Sequence, residues 1–204
     1  ENGTRFHPYD SIQKGINAAA NGATVLVMPG TYSGVGNQDI TTKGKAITVR
    51  SRLGYSSTTI DVASVHGGFY VISNETSSTV IKGFTIRTWA SFFGAQGILC
   101  STSSPVIEDC RIWDCGIAGI LCTNGARPTI RRTIIEANAC GVRVYGSSPT
   151  LDRCLIISNY SGRGAGVYMA ENSHPYLVNT LILQNRSTSD GGGLYIGPGC
   201  NPTG

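Results

Sequence analysis

A repeat of about 22 to 27 residues runs through most of this 204-residue chain, and it constrains the fold more than any other feature. Glycine-led apolar segments begin at Gly97, Gly119, Gly141, Gly166 and Gly193, so the successive spacings are 22, 22, 25 and 27 residues. Proline-centred segments follow the same period: SSPVIEDCRIWDC (103–115), ARPTIRRTIIEAN (126–138), SSPTLDRCLIISN (147–159) and SHPYLVNTLILQN (173–185). Repetition at such a period indicates stacked supersecondary units, and the sequence therefore predicts a solenoid.

Each repeat has room for about three short strands separated by glycine, proline or asparagine turns. Charged residues make up only 14% of the chain and 27 residues are glycine, a composition that favours strands and tight turns over helices. The second residue after each proline is aliphatic and should point inward, at Ile107, Ile130, Leu151 and Leu177. The longer final repeats place insertions at residues 160–164 and 187–191, where glycine and serine predict loops. The expected fold class is all-β.

Two further positions recur within the proline-centred segments. The fifth residue after the proline is Cys110, Thr133, Cys154 or Thr180, and the tenth is Cys115, Asn138, Asn159 or Asn185. Coils that stack in register place equivalent residues about 4.8 Å apart. Asn138, Asn159 and Asn185 are therefore predicted to form a hydrogen-bonded ladder, and Cys110 and Cys154 to fill a second internal column.

The N-terminal segment YDSIQKGINAAANGATVLVMPGTYSG (9–34) predicts a short helix, then a strand and a turn. Asp10 or Ser11 is the expected N-cap, Ile12 and Ile16 lie on one face, and Asn21–Gly22 is the expected end. Residues 9–22 would form a capping helix, residues 23–66 the first coils and residues 67–204 the regular coils. Together they make a single domain, residues 1–204, of about seven coils.

These repeats, the N-terminal segment and the phrase VIKGFTI (80–86) resemble the right-handed parallel β-helix (pectate-lyase-like) superfamily. The resemblance covers nearly the whole chain and implies a right-handed single-stranded parallel β-helix with a short N-terminal capping helix. It also implies a secreted or cell-surface protein, typically a bacterial one. It does not imply one activity, because this scaffold hosts lyases, hydrolases, esterases, epimerases and non-catalytic adhesins.

Charge and hydropathy narrow the range of partners. The net charge is +4 and the arginines are scattered among acids, which argues against a nucleic-acid-binding surface. No apolar run approaches the roughly 20 residues that span a bilayer, so no membrane insertion is expected. No charged-then-apolar leader opens the chain, and any export signal is expected to have been removed or never to have been present.

The seven cysteines do not form a zinc-binding pattern, since the chain contains no C-x-x-C pair. Their recurrence in apolar columns predicts buried thiols that act as small core side chains. A disulfide between Cys100 and Cys122, or between Cys115 and Cys140, is the alternative. The three histidines, His7, His66 and His174, lack metal-ligand or hydrolase spacing. His66 and His174 are expected in turns or at the surface.

The arrangement of the acidic residues indicates whether the sequence contains a recognisable catalytic site. Polysaccharide lyases of the superfamily typically present several acidic calcium ligands, and the related glycosidases need two positioned carboxyl groups. Here acids and arginines alternate in two outward columns, Glu108, Arg131, Asp152, Val178 and Asp109, Arg132, Arg153, Asn179. Alternating signs predict salt bridges between coils. No catalytic residue is assigned, no metal or cofactor is expected, and Ca²⁺ would enter only if the protein were a lyase.

The outward positions of the glycine-led strands carry large side chains: Tyr70, Leu99, Leu121, Arg143, Tyr168 and Tyr195. Tyr145 lies two residues beyond Arg143 on the same strand. Tyrosine rings and a guanidinium group on a flat sheet suit sugar rings and uronate carboxylates. We therefore hypothesise a carbohydrate-binding surface formed by Arg143, Tyr145, Tyr168 and Tyr195. The alternative is that aromatic residues simply favour exposed strand faces.

A second outward surface is apolar, and its members are Ile134, Leu155, Ile157, Leu181 and Leu183. Contiguous exposed apolar side chains usually mark a partner or a covering segment. The closing NPTG resembles the start of another coil, which leaves strand edges unpaired at this end. We expect the C-terminal end and the apolar surface to contact a second copy of the chain, in a homodimer, or further coils.

The function expected from these features is an extracellular β-helix module that binds polysaccharide, acidic chains included, without catalysis. The first alternative is a polysaccharide lyase or a related carbohydrate-active enzyme with catalytic groups on loops. The second alternative is a structural stalk or adhesin segment of a longer surface protein.

Overall fold

A computed structural model describes residues 1–4, 6–62, 66–88 and 95–204, so residues 63–65 of the predicted first coils lie outside the described part. The described residues form one helix, α1 (Ile12–Ala18), followed by a succession of short strands. The strands are β1 Thr24–Val27, β2 Gly30–Tyr32, β3 Ile40–Thr41, β4 Thr48–Ser51, β5 Thr58–Val62, β6 Phe69–Val71, β7 Val80–Lys82, β8 Thr85–Thr88, β9 Gln96–Ser101, β10 Val106–Glu108, β11 Arg111–Trp113, β12 Ala118–Thr123, β13 Thr129–Arg131, β14 Ile134–Glu136, β15 Val142–Tyr145, β16 Thr150–Asp152, β17 Leu155–Ile157, β18 Tyr160–Arg163, β19 Val167–Ala170, β20 Tyr176–Val178, β21 Leu181–Leu183, β22 Arg186–Asp190 and β23 Leu194–Ile196.

Three seven-stranded parallel sheets form the body of the molecule. The first sheet contains β1, β4, β7, β10, β13, β16 and β20; the second contains β2, β5, β8, β11, β14, β17 and β21. The third contains β3, β6, β9, β12, β15, β19 and β23. Each coil contributes one strand to each sheet, and equivalent residues of successive repeats pair in register, as Ile112, Ile135, Ile156 and Ile182 do in the second sheet. The predicted parallel β-helix is confirmed.

Helix α1 covers the first coil but is shorter than predicted. Ser11 is the N-cap, and its Oγ accepts a hydrogen bond from the backbone N of Lys14. Ile12 and Ile16 are buried on the face that meets the core. The helix ends before Asn21–Gly22, because Ala19 is already extended and the Lys45 ammonium group donates to the carbonyl oxygens of Ile16, Asn17 and Ala19. Lys45, a distant residue, supplies the cap that local sequence was expected to supply.

The corners between strands depend on residues in the left-handed conformation. The fourth residue after each proline has φ near +50°, at Asp109, Arg132, Arg153 and Asn179. The ninth has similar φ values, at Asp114, Ala137, Ser158 and Gln184. Each of these residues turns the chain so that the next side chain points into the core. This explains why the inward positions shift from the second residue after the proline to the fifth, and from the seventh to the tenth.

The inward residues after these corners stack along the axis. Asn138 Nδ2 donates to Asn159 Oδ1 at 2.9 Å, and Asn159 Nδ2 donates to Asn185 Oδ1 at 2.8 Å. The same oxygens accept from the backbone N of the preceding asparagine. At the other corner, the backbone N of Cys110 donates to Thr133 Oγ1 and that of Cys154 donates to Thr180 Oγ1.

All seven cysteines are free thiols, and six of them are buried. The two disulfides considered from the sequence are therefore wrong. Cys100 and Cys122 are direct partners on β9 and β12, and such neighbours lie about 4.8 Å apart, farther than the roughly 3.8 Å between the Cβ atoms of a disulfide. Cys140 Sγ donates instead to the carbonyl oxygen of Gly164. Burial raises the pKa of Cys122 to about 12, so this thiol stays protonated and behaves as a core side chain.

The two insertions, predicted as loops, form strands. β18 and β22 pair in parallel as a separate two-stranded ladder, with Tyr160 opposite Arg186 and Ser161 opposite Ser187. The insertions occur at the same place in consecutive coils, so their backbones lie side by side and can pair like the rest of the solenoid. This ladder stands beside the third sheet.

Candidate functional site

The outward column of the third sheet is assembled in the predicted order. Tyr70 pairs with Leu99, Leu99 with Leu121, and Leu121 with Arg143. Arg143 then pairs with Tyr168, and Tyr168 with Tyr195. All six side chains are half-buried. Strand alternation places their neighbours, such as Val144 and Val167, in the core.

Three tyrosine rings pack against each other at the C-terminal half of this column. The rings of Tyr168 and Tyr195 are stacked, with centroids 5.0 Å apart and an interplanar angle of 9°. The ring of Tyr145 is tilted by 49° against Tyr168, at a centroid distance of 5.5 Å. Because the rings face one another along the axis, their edges and hydroxyl groups are the parts available to a ligand on the outer surface.

The ladder of β18 and β22 forms a wall next to the tyrosines. Arg163 Nε lies 3.2 Å from Asp190 Oδ2, which joins the two strands by a salt bridge. The guanidinium carbon of Arg163 lies 5.7 Å from the ring centroid of Tyr195, so the wall also contacts the aromatic column.

A shallow groove runs between the third sheet and this wall. Its lining consists of Arg143, Tyr145, Ser161, Gly162, Arg163, Tyr168 and Ser189, and we call it the tyrosine groove. It offers two guanidinium groups and several hydroxyl groups, all of which donate hydrogen bonds. The Nε atom of Arg143 is buried and has no hydrogen-bond partner in the described part of the chain.

Electrostatics within the groove follow from Arg143. Burial raises the pKa of the neighbouring Cys140 thiol to about 11, although the Arg143 cation and its hydrogen bond act in the opposite direction. Burial also raises the pKa of Tyr145, again against the effect of Arg143. Both neighbours therefore remain protonated near neutral pH, and neither of them neutralises the Arg143 cation.

Gly164 allows the wall to approach the tyrosines. Its φ is +56°, and a Cβ atom there would lie 2.8 Å from Tyr168 Cα and 2.8 Å from Tyr195 Cβ. Only glycine combines this backbone conformation with such close packing. The width of the tyrosine groove therefore depends on Gly164, although Gly164 itself is not part of the lining.

Three of the four residues predicted to bind carbohydrate line the tyrosine groove, namely Arg143, Tyr145 and Tyr168, and Tyr195 contacts them through the ring stack. Sequence reasoning missed Ser161, Arg163 and Ser189, because the insertions were interpreted as loops. The available signal was that both insertions fall at the same point of consecutive repeats.

The acidic residues of the first sheet form ion pairs, but not a regular ladder. The carboxylate of Glu108 contacts Lys82, Arg131 and Arg132. Burial raises the pKa of Glu108, but hydrogen bonds from these three cations outweigh burial and hold the pKa below its usual value. Arg131 thus reaches toward the preceding coil, and Asp152 pairs with Arg153 of its own coil. The predicted series of salt bridges between coils therefore does not continue from Arg131 to Asp152.

The remaining candidate groups are separate from the tyrosine groove. His66 is at a corner, where its Nδ1 contacts Asp39 Oδ2, and His7 and His174 are exposed. Among the residues that the structure describes, no three His, Cys, Asp or Glu side chains are grouped so that they could hold a metal ion.

The apolar outward surface lies on the second sheet. Ile134 pairs with Leu155 and Leu155 with Leu181, while Ile157 pairs with Leu183. Exposure increases along the axis: Ile134, Leu155 and Ile157 are half-buried, whereas Leu181 and Leu183 are 59% and 45% exposed.

Comparisons with known proteins agree with the architecture. Helix α1 is too short to span a bilayer, and the described residues contain no other helix. Searches of curated proteins and of solved structures returned no significant match. The family model described as "Right handed beta helix region" matches residues 38–182, most of the stacked coils. The chain therefore belongs to the right-handed β-helix family.

Proposed function

We propose that this protein is a non-catalytic, extracellular β-helix module that binds polysaccharide in the tyrosine groove. The observation that carries the proposal is the convergence of Arg143, Tyr145 and Tyr168 with the wall residues Ser161 and Arg163 on one open groove. An open groove suits a polymer, because a chain can lie along it without having to enter through an end. Sugars are bound by hydrogen-bond donors and by aromatic groups, and both are present.

The charge of the groove favours acidic polysaccharides. Arg143 supplies the main cation, whereas the charge of Arg163 is partly offset by its salt bridge to Asp190. A guanidinium group binds a carboxylate through two parallel hydrogen bonds, which a neutral sugar cannot reproduce. Uronate-containing chains should therefore bind more tightly than neutral chains, and their affinity should fall as the salt concentration rises.

Titration calorimetry with polygalacturonate, alginate and a neutral glucan tests the proposal. Arg143→Gln and Tyr168→Ala should each weaken binding of the acidic chain by about tenfold or more, since both residues lie at the centre of the groove. Tyr195→Ala should also weaken binding, because it removes the ring that stacks on Tyr168. Tyr168→Phe keeps the stack and removes only the hydroxyl group, which separates the two contributions.

Arg127→Gln is the matched control, because Arg127 is an exposed arginine in the connection between β12 and β13, outside the groove. It removes the same charge and should leave binding unchanged. Equal losses in Arg127→Gln and Arg143→Gln would mean that only the net charge matters and would contradict a defined site. Release of unsaturated uronate during incubation, followed by ultraviolet absorbance, would instead identify a lyase.

A further inference from the structure

A cavity of about 680 Å³ lies at the N-terminal end of the molecule, away from the tyrosine groove. It is bounded by the segment before α1, by α1 itself, and by β1 and the turn into β2. Its apolar lining includes Tyr9, Ala18, Val25, Leu26, Met28 and Tyr32. Cavities of about 300–1,000 Å³ with mainly apolar walls are typical of small-molecule sites.

The apolar wall results from the position of β1 in the fold. β1 is the edge strand of the first sheet, so it pairs with another strand, β4, on only one side. Leu26 and Met28 remain 45% and 39% exposed along this wall. Exposed apolar side chains that converge on a cavity gain free energy when an apolar ligand covers them.

Among the residues that the structure describes, the lining of this cavity includes the cation Arg52. Arg52 contacts Met28, with Nη1 4.0 Å from Sδ. The acids of the N-terminal segment are engaged elsewhere, since Glu1 and Asp10 both pair with Lys14. Within residues 1–4, 6–62, 66–88 and 95–204, no carboxylate forms an ion pair with Arg52.

We infer that this cavity binds a single-chain amphipathic anion, such as a medium-chain fatty carboxylate. The alkyl chain lies against Val25, Leu26 and Met28, and the carboxylate pairs with the guanidinium group of Arg52. A positive group at one position and an apolar wall beside it match the two halves of such a molecule. A purely apolar ligand would leave the Arg52 cation unpaired, and a small polar anion would leave the apolar wall uncovered.

Titration calorimetry with hexanoate, octanoate and decanoate, each below its micelle concentration, tests the inference. Binding should be one molecule per chain and tighten about fourfold for each added methylene group, because each one buries further apolar surface. Decanol, which has the same tail without the charge, should bind about tenfold more weakly than decanoate.

Two variants and one control locate the site. Arg52→Gln should weaken decanoate binding about tenfold and leave decanol unchanged. Met28→Glu places a carboxylate beside Arg52 at an exposed position and should abolish decanoate binding without unfolding the chain. Arg50→Gln, which removes an exposed arginine outside the lining, should bind decanoate like the original protein.

Four results would overturn the inference. The first three are no decanoate binding below the micelle concentration, several molecules bound per chain, and equal losses in Arg50→Gln and Arg52→Gln. Association with vesicles in the absence of binding to the free carboxylate would also overturn it, because it would mean that the surface as a whole contacts lipid. Circular dichroism of each variant separates loss of binding from loss of fold.

Discussion

At the scale of single residues, the asparagines of the corner between the second and third sheets connect consecutive coils. Asn159 is buried, and its Oδ1 accepts from both nitrogen atoms of Asn138. Its Nδ2 donates to the carbonyl oxygen of Ile135 and to Asn185 Oδ1. Each amide therefore satisfies polar groups of the coils on either side, which water cannot reach.

Asn159→Ala should lower the free energy of unfolding by about 3 kcal/mol, because it leaves several buried donors and acceptors without partners. Asn185→Ala should cost about 1 kcal/mol, since Asn185 is partly exposed and water can replace its bonds. Chemical denaturation measures both values. Asn17→Ala, on the exposed face of α1, is the control and should change stability by less than about 0.5 kcal/mol. Equal costs at Asn159 and Asn185 would contradict the role given to burial.

Glu75 is a second buried polar residue, and it joins the turns of three coils. Its carboxylate accepts hydrogen bonds from Thr42 Oγ1, Ser103 Oγ and the backbone N atoms of Gly44 and Ser73. Burial raises the pKa of Glu75, but these four hydrogen bonds outweigh burial and leave the pKa below its ordinary value of 4.5. The folded state therefore prefers the ionised form.

Because its pKa is lower in the folded state, Glu75 contributes its full stabilisation above pH 4.5, and this contribution is lost as pH falls through the lower folded pKa. Glu75→Gln should be less stable than the original protein at pH 7, and its stability should fall less steeply on acidification. Denaturation midpoints between pH 7 and pH 3 test this expectation. Glu171→Gln removes one charge at an exposed turn and serves as the control. Parallel pH profiles for Glu75→Gln and the original protein would refute the assignment.

At the scale of elements, the pair β18–β22 forms a two-stranded sheet separate from the three main sheets, so its stability can differ from theirs. The pair is two strands wide, and an isolated two-stranded ladder is marginal in water. Its contact with the third sheet passes through Gly164, whose missing side chain makes room for Tyr168 and Tyr195. The wall of the tyrosine groove should therefore open more readily than the coils behind it.

Gly164→Ala should detach this wall without unfolding the solenoid, because the new Cβ atom meets the tyrosine column and φ at this position is positive. Amide hydrogen exchange should become faster by tenfold or more in residues 160–163 and 186–190, and stay unchanged in β15. Gly162→Ala is the matched control, since nothing lies within 4 Å of a Cβ atom at Gly162. Unchanged exchange in Gly164→Ala would show that the contact does not hold the wall.

How far the sequence predicts the structure differs between these elements. The period of 22 residues predicts the three sheets and the inward columns, because stacking in register repeats one set of contacts. The left-handed conformation at the corners, the early end of α1 and the wall were not predicted. Left-handed φ at Asp109 or Ala137 has no local signal comparable to glycine, the Lys45 cap comes from a distant residue, and β18 becomes a strand only by pairing with β22. The alternation of inward and outward side chains along each strand predicted the tyrosine column. It did not predict Arg163, Ser161 and Ser189, which face that column from the wall.

At the scale of the whole molecule, burial is uniform in the central coils and decreases toward β23. Ile112, Ile135 and Ile156 are fully buried, whereas Ile182, the next residue of the same column, is half-buried. In the same coil Leu194 and Ile196 occupy inward positions of the third sheet, yet they are 40% and 51% exposed. Each coil is covered by its neighbours, so stability should vary along the axis with the number of neighbours.

Ile135→Ala and Ile182→Ala remove the same atoms from the same column and test this gradient. Ile135→Ala should cost about 3–4 kcal/mol, since it leaves a cavity between two packed coils, whereas Ile182→Ala should cost about 1–2 kcal/mol.

The expected homodimer predicts a different result. If a second copy covers the last coil, Ile182→Ala should cost nearly as much as Ile135→Ala, and the melting temperature should rise with protein concentration. Leu181→Lys and Leu183→Lys would then lower the sedimentation coefficient to that of a single chain. A small loss of unfolding free energy in Ile182→Ala, together with a concentration-independent melting temperature, would rule out the dimer. If a second copy covered the last coil, removing the buried Ile182 side chain would leave a cavity and cost more.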